Sequence, residues 1–300
     1  MVEIQFSNTM LDQFLQHLTY EKRLSEHTLT AYGKDLEQFA EFLEKTYQLK
    51  ELSRADFRMI RGWAVSLVEA GLHHRSVNRK LATLRSFYGY LLRCKVITQN
   101  PTQRVSAMKT DKPLPQFVEE KSLLVLFEEI TFGEDFEGIR DRLVMELLYG
   151  TGMRLAELLT LKDEDINEYD LTLKVLGKRN KQRIIPIYKG LCDLIKRYQS
   201  IKNGQFPGTD VLILTNKGEP AYGVLIQRIV KKYLSAVTSL QKRSPHVLRH
   251  TFATHLLNHG ADLNSIKDLL GHSSLAATQV YTHNSIEKLK KIFKQAHPKA

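Results

Sequence analysis

Between Asn100 and Pro115 the chain loses the ability to continue a helix. This stretch holds three of the eight prolines, Pro101, Pro113 and Pro115, and has no apolar periodicity. Each proline removes a backbone donor and pushes the residue before it out of the helical region. One unbroken helical array is therefore excluded, and the chain reads as two parts joined by a linker. A length of 300 residues is comfortable for two domains with separate cores. We place the first domain at 1–106, the linker at 107–115 and the second domain at 116–300.

The first part is helical by its spacing. Leu11, Phe14, Leu15 and Leu18 recur at helical intervals, as do Leu29, Tyr32, Leu36, Phe39 and Leu43. Ser53 precedes a third stretch containing Ile60, Trp63, Ala64 and Leu67, which ends at Gly71. A fourth begins near Arg75, with Val77, Leu81, Leu84, Tyr88 and Leu91 on one face and Arg75, Arg79, Lys80 and Arg85 on the other. The spacing predicts a four-helix unit with one basic flank. The second part is mixed. Helical patterns cover 119–130, 138–149 and 154–161, and two short strands, 172–176 and 183–187, flank a polar turn. Val211–Leu214 is expected to be a third strand, after which the chain returns to helix. The fold class is thus mainly α with a small β-sheet.

Charge narrows the partners. Lys and Arg exceed Asp and Glu by 11, and the excess is shared: +5 falls in residues 1–110 (16 against 11) and +6 in the rest (28 against 22). A polyanion touched by both parts, nucleic acid first, fits that distribution better than a basic tail on a neutral body. The two cysteines, Cys94 and Cys192, have no paired spacing and suit a reducing compartment. No window reaches the ~18 apolar residues of a membrane span. MVEIQFSNTMLDQFLQ has no basic segment before a long apolar run, so no signal peptide is read and the expected location is the cytoplasm.

Several polar residues stand out in the second part. Ser244-Pro245-His246-Val247-Leu248-Arg249-His250 opens a helix with proline near its first turn, where a missing N–H costs little. His246 and Arg249, three apart, can leave the same face. Leu270-Gly271-His272 and Val280-Tyr281-Thr282-His283 follow. Each alone has an ordinary reading as a cap, a core histidine, an ion pair or a packed aromatic. His246/His250 and His255/His259 are i,i+4 pairs, yet HExxH is absent and no carboxylate or Cys sits at ligand spacing, so no metal is expected. Upstream, Gly150 and Gly152 fit a tight turn, after which Arg154 opens a helix. An arginine at a helix N-terminus opposes the dipole. A bound anion there would explain it, and so would pairing with Glu157, three residues on.

Taken together, TGMRLAELL, VLGKRNKQRIIPI, SPHVLRHTFATHLL, LGH and VYTH, in that order, resemble the catalytic half of the tyrosine recombinase/integrase family. The helical first hundred residues resemble the N-terminal core-binding domain of its Xer type, a four-helix, SAM-like unit, which would make the second part the α+β tyrosine-recombinase catalytic domain. On this resemblance the arm-binding domain of phage-type integrases is not expected, which favours the Xer type. The resemblance implies that Tyr281 is the nucleophile and that Arg154 and Arg249 hold the scissile phosphate. It implies that Lys178 protonates the leaving 5′ oxygen, with Lys181 as an alternative on the same turn. His246 would assist proton transfer at the tyrosine and His272 would hydrogen-bond the phosphate. The tail after Tyr281, with Ile286, Leu289 and Ile292 or Phe293 on one stripe, is expected to dock into a neighbouring subunit and couple active sites; covering its own domain is the plainer alternative. Implied partners are duplex DNA with a dif-like site, a second Xer-type recombinase or a second copy within a tetramer, and the FtsK DNA translocase, with no membrane. Duty in a mobile element, with the same chemistry, stays open.

These residue types suit the chemistry. Attack on a phosphodiester gathers negative charge on the phosphoryl oxygens, and two guanidiniums meet it with fixed planar donors. A phenol, with an ordinary pKa of ~10, needs a cationic surrounding or a proton acceptor to attack at neutral pH. The departing alkoxide is the stronger base, so a general acid matters most there. One diester replaces another, so no ATP is required, and no cofactor is expected. DNA contacts are expected from Arg75, Arg79, Lys80 and Arg85 in the first part and from Lys181, Arg183, Lys242 and Arg243 in the second, mostly to phosphate.

Overall fold

The structure, a computed structural model, describes residues 3–110, 116–177, 182–271 and 283–299. Side chains are described from residue 10 and, in the last helix, at 287 and from 289 on. The chain divides into two units, Met1–Pro113 and Leu114–Ala300, each with its own hydrophobic core.

The first unit consists of α1 (Glu3–Tyr20), α2 (Glu26–Tyr47), α3 (Phe57–Glu69) and α4 (His74–Arg93). Helical spacing turns Leu36, Phe39 and Leu43 of α2 and Val77, Leu81, Leu84, Tyr88 and Leu91 of α4 into one buried core. Trp63 of α3 closes it against Phe39, ring centroids 4.9 Å apart. Each such side chain contributes about 1.5–3 kcal/mol by leaving water. Ser53 does not start α3. It lies in a 3₁₀ turn, and Asp56, whose Oδ1 accepts from Met59 N at 2.9 Å, caps the helix instead. Met108 and Lys109, inside the stretch read as linker, are tied to α4. Asn78 exchanges two hydrogen bonds with the Met108 backbone at 2.9 and 2.8 Å, and the Lys109 carbonyl accepts from His74 Nδ1 at 2.9 Å.

The second unit begins with α5 (Glu120–Glu128), α6 (Phe136–Thr151) and α7 (Leu155–Leu159). Then come β1 (Ile166–Asn167), β2 (Thr172–Leu176) and β3 (Gln182–Pro186), followed by α8 (Lys189–Gln205), α9 (Gly223–Val237), α10 (Pro245–Asn258), α11 (Leu263–Leu270) and α12 (His283–Ala296). Asp135 caps α6, which is buried nearly all round and forms the axis of the core. The sheet is antiparallel in the order β1-β2-β3, with Leu173 opposite Ile185 and Leu176 opposite Gln182.

The expected strand Val211–Leu214 is corrected. Its ends make only isolated bridges, Lys162 with Val211 and Leu214 with Pro220, while Leu212, Ile213 and Leu214 fill the core. A short apolar run reads as strand from hydrophobicity alone, whether or not a partner strand exists. The third strand is β1. In α12, Leu289, Phe293 and Ala296 are buried in the core of their own unit within the single chain. Beyond it, Lys299 Nζ meets Glu146 Oε1 at 2.7 Å and lies 4.0 Å from the Phe127 ring centroid.

Candidate functional site

The site is built where two chain reversals meet, one after α6 and one after α11. α6 ends at Gly152, whose φ of +60° is left-handed. A Cβ there would stand 2.4 Å from Phe252 Cδ1, so both backbone and space demand glycine. The reversal makes Arg154 the N-cap of α7, and Glu157, three residues on, accepts from its backbone N–H at 2.7 Å. The same carboxylate accepts from Arg154 Nη1 at 2.8 Å. Of the two sequence readings of Arg154, the pairing with Glu157 is present, and the arginine side chain remains 38% exposed.

Glu157 holds a second arginine. Arg183 of β3 donates from Nη1 and Nη2 to its two oxygens at 2.6 and 2.9 Å, and from Nε to the Leu269 carbonyl at 2.9 Å. Arg249 of α10 donates to the carbonyls of Gly152 and Leu270, both at 2.6 Å, and Arg154 Nη2 donates to Gly271 at 3.1 Å. Thus the three successive carbonyls that close α11 each accept from a different guanidinium. A helix C-terminus carries partial negative charge and unpaired carbonyls, which is why it attracts cations. Three positive charges still face one carboxylate. Burial, with Arg154 and Arg183 nearby, pulls the Arg249 guanidinium down to about 10. Burial alone would raise Glu157, but the hydrogen bonds and charge of Arg183 and Arg154 hold it below the usual carboxylate range.

Among the expected catalytic residues, Arg154 and Arg249 are brought into this cluster. His246 lies exposed in the first turn of α10. Lys178, His272 and Tyr281, and the turn residue Lys181, lie outside the described residues. The flanking elements are described: α11 ends at Leu270 with Gly271 as its left-handed cap, just before His272, and α12 begins just after Tyr281.

Two expected DNA contacts are corrected. Arg183 is 5% exposed and spends its donors on Glu157 and Leu269. Lys80 is 7% exposed, with Nζ 2.8 Å from Asp35 Oδ1 and also bonded to Gln38. Asp35 on α2 is itself buried and needs counter-charge there, so the basic flank of α4 is partly an interior surface. Arg79 chelates the same Asp35 at 2.6 and 2.9 Å while half exposed, and Arg85 donates to the Val105 carbonyl at 2.8 Å. Arg75 and Lys242 are exposed, and Arg243 donates to Ser235 Oγ at 2.9 Å. Sequence reasoning missed Asp35 as a partner and saw Glu157 only as a local one. Asp35 stands 44 residues before Arg79, and Arg183 stands 26 after Glu157, so no local spacing signals either pair. Among the described residues no helix is long and apolar enough to cross a membrane.

Comparison with known proteins places this geometry. Residues 116–288 match the phage integrase family, and residues 11–95 match the phage integrase N-terminal SAM-like domain. The chain is similar to the tyrosine recombinase XerC of Chlorobaculum parvum, 38% identical with 97% of this chain and 94% of that protein covered. It is also similar to the XerC of Staphylococcus aureus, 39% identical with 98% of each covered. In fold it resembles the XerH site-specific recombinase bound to a palindromic difH substrate, with TM-score 0.71, 22% identity, and 94% of this chain and 83% of that one covered. A lambda integrase dimer bound to a core site has TM-score 0.67 at 19% identity, with 91% and 99% covered. With both units matched in order and two relatives well above 30% identity, the chain belongs to the phage integrase family of site-specific tyrosine recombinases, enzymes that break and rejoin DNA.

Proposed function

We propose that the chain exchanges DNA strands at a dif-like site through a 3′-phosphotyrosine at Tyr281 and a Holliday junction, resolving chromosome dimers. The observation that carries this reading is the excess of two positive charges where Arg154, Arg183 and Arg249 surround Glu157. Buried like charges are unfavourable without a counter-ion, and a phosphodiester monoanion supplies one. Arg154 and Arg249 hold its non-bridging oxygens and meet the charge that grows as Tyr281 attacks. Lys178 gives a proton to the 5′ alkoxide, His246 assists the phenol proton, and His272 hydrogen-bonds the phosphate.

Grip on the duplex comes from both units about the linker. Arg75 and the exposed side of Arg79 serve in the first, and Lys181, Lys242 and Arg243 in the second. The names of the XerC relatives, and the difH substrate of the XerH structure, support a chromosomal site over a mobile element. In a tetramer with a second recombinase or a second copy, α12 leaves the core of its own unit and docks into a neighbouring subunit, coupling the active sites, and a translocase of the FtsK kind activates the assembly.

The test is a duplex with a dif-like site, nicked so that the cut fragment escapes. The parent chain is expected to form a covalent protein–DNA product that Tyr281→Phe does not. Adduct formation by Tyr281→Phe at the parental rate would sink the assignment.

A further inference from the structure

Arg183 is the one guanidinium of the cluster that the chemistry above does not use. It is also the most enclosed, at 5% exposure. Its stem crosses directly over Gly271, where an added Cβ would stand 3.0 Å from Arg183 Cδ. The left-handed Gly271 (φ +63°) therefore both ends α11 and leaves room for the arginine to pass. The arrangement holds Arg183 in one place, facing Glu157.

What Arg183 does there follows from counting acceptor sites. An ionised carboxylate offers about four lone-pair sites. Glu157 receives four N–H groups: two from Arg183 at 2.6 and 2.9 Å, and two from Arg154, its backbone N–H at 2.7 Å and Nη1 at 2.8 Å. Arg154 therefore gives the carboxylate one side-chain nitrogen. A second goes to the Gly271 carbonyl, and the Arg154 side chain as a whole stays partly exposed. Were Arg183 absent, two sites on Glu157 would fall vacant beside an arginine able to fill them. Arginine and carboxylate favour the two-pronged pairing, so Arg154 would rotate into it and turn donors away from the open side.

We infer that Arg183 is a positioning residue: by occupying Glu157 it keeps Arg154 from being chelated and leaves that guanidinium turned toward the scissile phosphate. The inference rests on the proposed role of Arg154. Lys at this position would restore the charge without the fork and so would occupy Glu157 only in part.

The experiment uses the full chain, its Arg183→Met, Arg183→Lys and Glu157→Gln variants, and the Arg183→Met/Glu157→Gln double variant. Affinity for the nicked dif-like duplex and the single-turnover rate of adduct formation are measured separately, and melting curves report folding. Arg183→Met is expected to slow cleavage roughly 100-fold, the scale of losing one charge-stabilising donor, with affinity held within about threefold, since most phosphate contacts lie elsewhere. Arg183→Lys is expected to fall between. The double variant, lacking the carboxylate that would capture Arg154, is expected to recover at least about tenfold over Arg183→Met. If the single defects simply multiply in the double variant, the inference fails. It also fails if Arg183→Met loses affinity in proportion to rate, which would make Arg183 a DNA contact. Should Arg183→Met not fold, the Arg183→Lys pair with and without Glu157→Gln decides by the same criterion. Guanidinium nitrogen–proton spectra give a reading without activity. Arg154 side-chain signals are expected to shift and rotate more slowly in Arg183→Met and in Arg183→Lys, and unchanged signals overturn the inference. A parent chain that forms no adduct overturns the function proposal instead, and the spectra still decide whether Arg183 governs Arg154.

Discussion

The two units each bury a carboxylate among cations, and the balance differs between them. In the first, Asp35 accepts from Arg79 twice, from Lys80 and from Thr83, two positive charges against one negative, with Lys80 sealed inside. In the second, Glu157 and the carbonyls of Gly152, Leu269, Leu270 and Gly271 gather three guanidiniums. The Asp35 network is nearly saturated, and its one half-exposed member, Arg79, is already chelated by both oxygens. The Glu157 network carries a larger excess and leaves part of Arg154 open. On the proposed function, the first arrangement serves the fold and the second receives an anion that is not part of the chain. Both carboxylates are outnumbered, Asp35 by one charge and Glu157 by two, and on the proposed function the larger excess is the one that receives a phosphate.

Breaking the saturated network should cost the most stability. Asp35→Ala leaves Lys80 charged and enclosed, and removing one partner of a buried pair costs about 3–5 kcal/mol. Urea denaturation is expected to show that loss, and Lys80→Met in the same chain should return most of it. A double variant no more stable than Asp35→Ala would mean that Asp35, not the unpaired lysine, sets the cost. Arg249→Lys should do the opposite: slow cleavage roughly 100- to 1000-fold, the range for one lost charge-stabilising donor, with little change in DNA affinity. Equal loss of rate and affinity would show that the cluster binds DNA in general and has no special hold on the reacting phosphate. The smallest effect is expected at the exposed Arg75. Its change to Ala should lower the slope of log affinity against log salt by about one counter-ion, equally for cognate and unrelated duplexes. A change confined to the cognate duplex would make Arg75 a reader of bases.

How much was legible depended on whether the signal was local. The helices of the first unit follow from the spacing of Leu36, Phe39 and Leu43 and of Val77, Leu81 and Leu84, because a helical face is written within a few turns. The hairpin of β2 and β3 was placed to within a residue by its flanking polar turn. Val211–Leu214 misled because burial and strand pairing leave the same apolar mark. Lys80 and Arg183 misled for the reverse reason. A cation in the sequence looks solvated until a distant carboxylate is folded against it.

The sequence by itself determined the division into two parts, the helical faces, and the order of the motifs that identify the family. Each of these resides in residue types and in spacings of a few positions, where local sterics and burial act. The tertiary structure alone decided that Arg183 pairs with Glu157, that Asp35 sits among Arg79, Lys80 and Thr83, and that Gly152 must admit Phe252. Those pairings join residues tens of positions apart, and the charge of a side chain does not say which partner packing will bring to it.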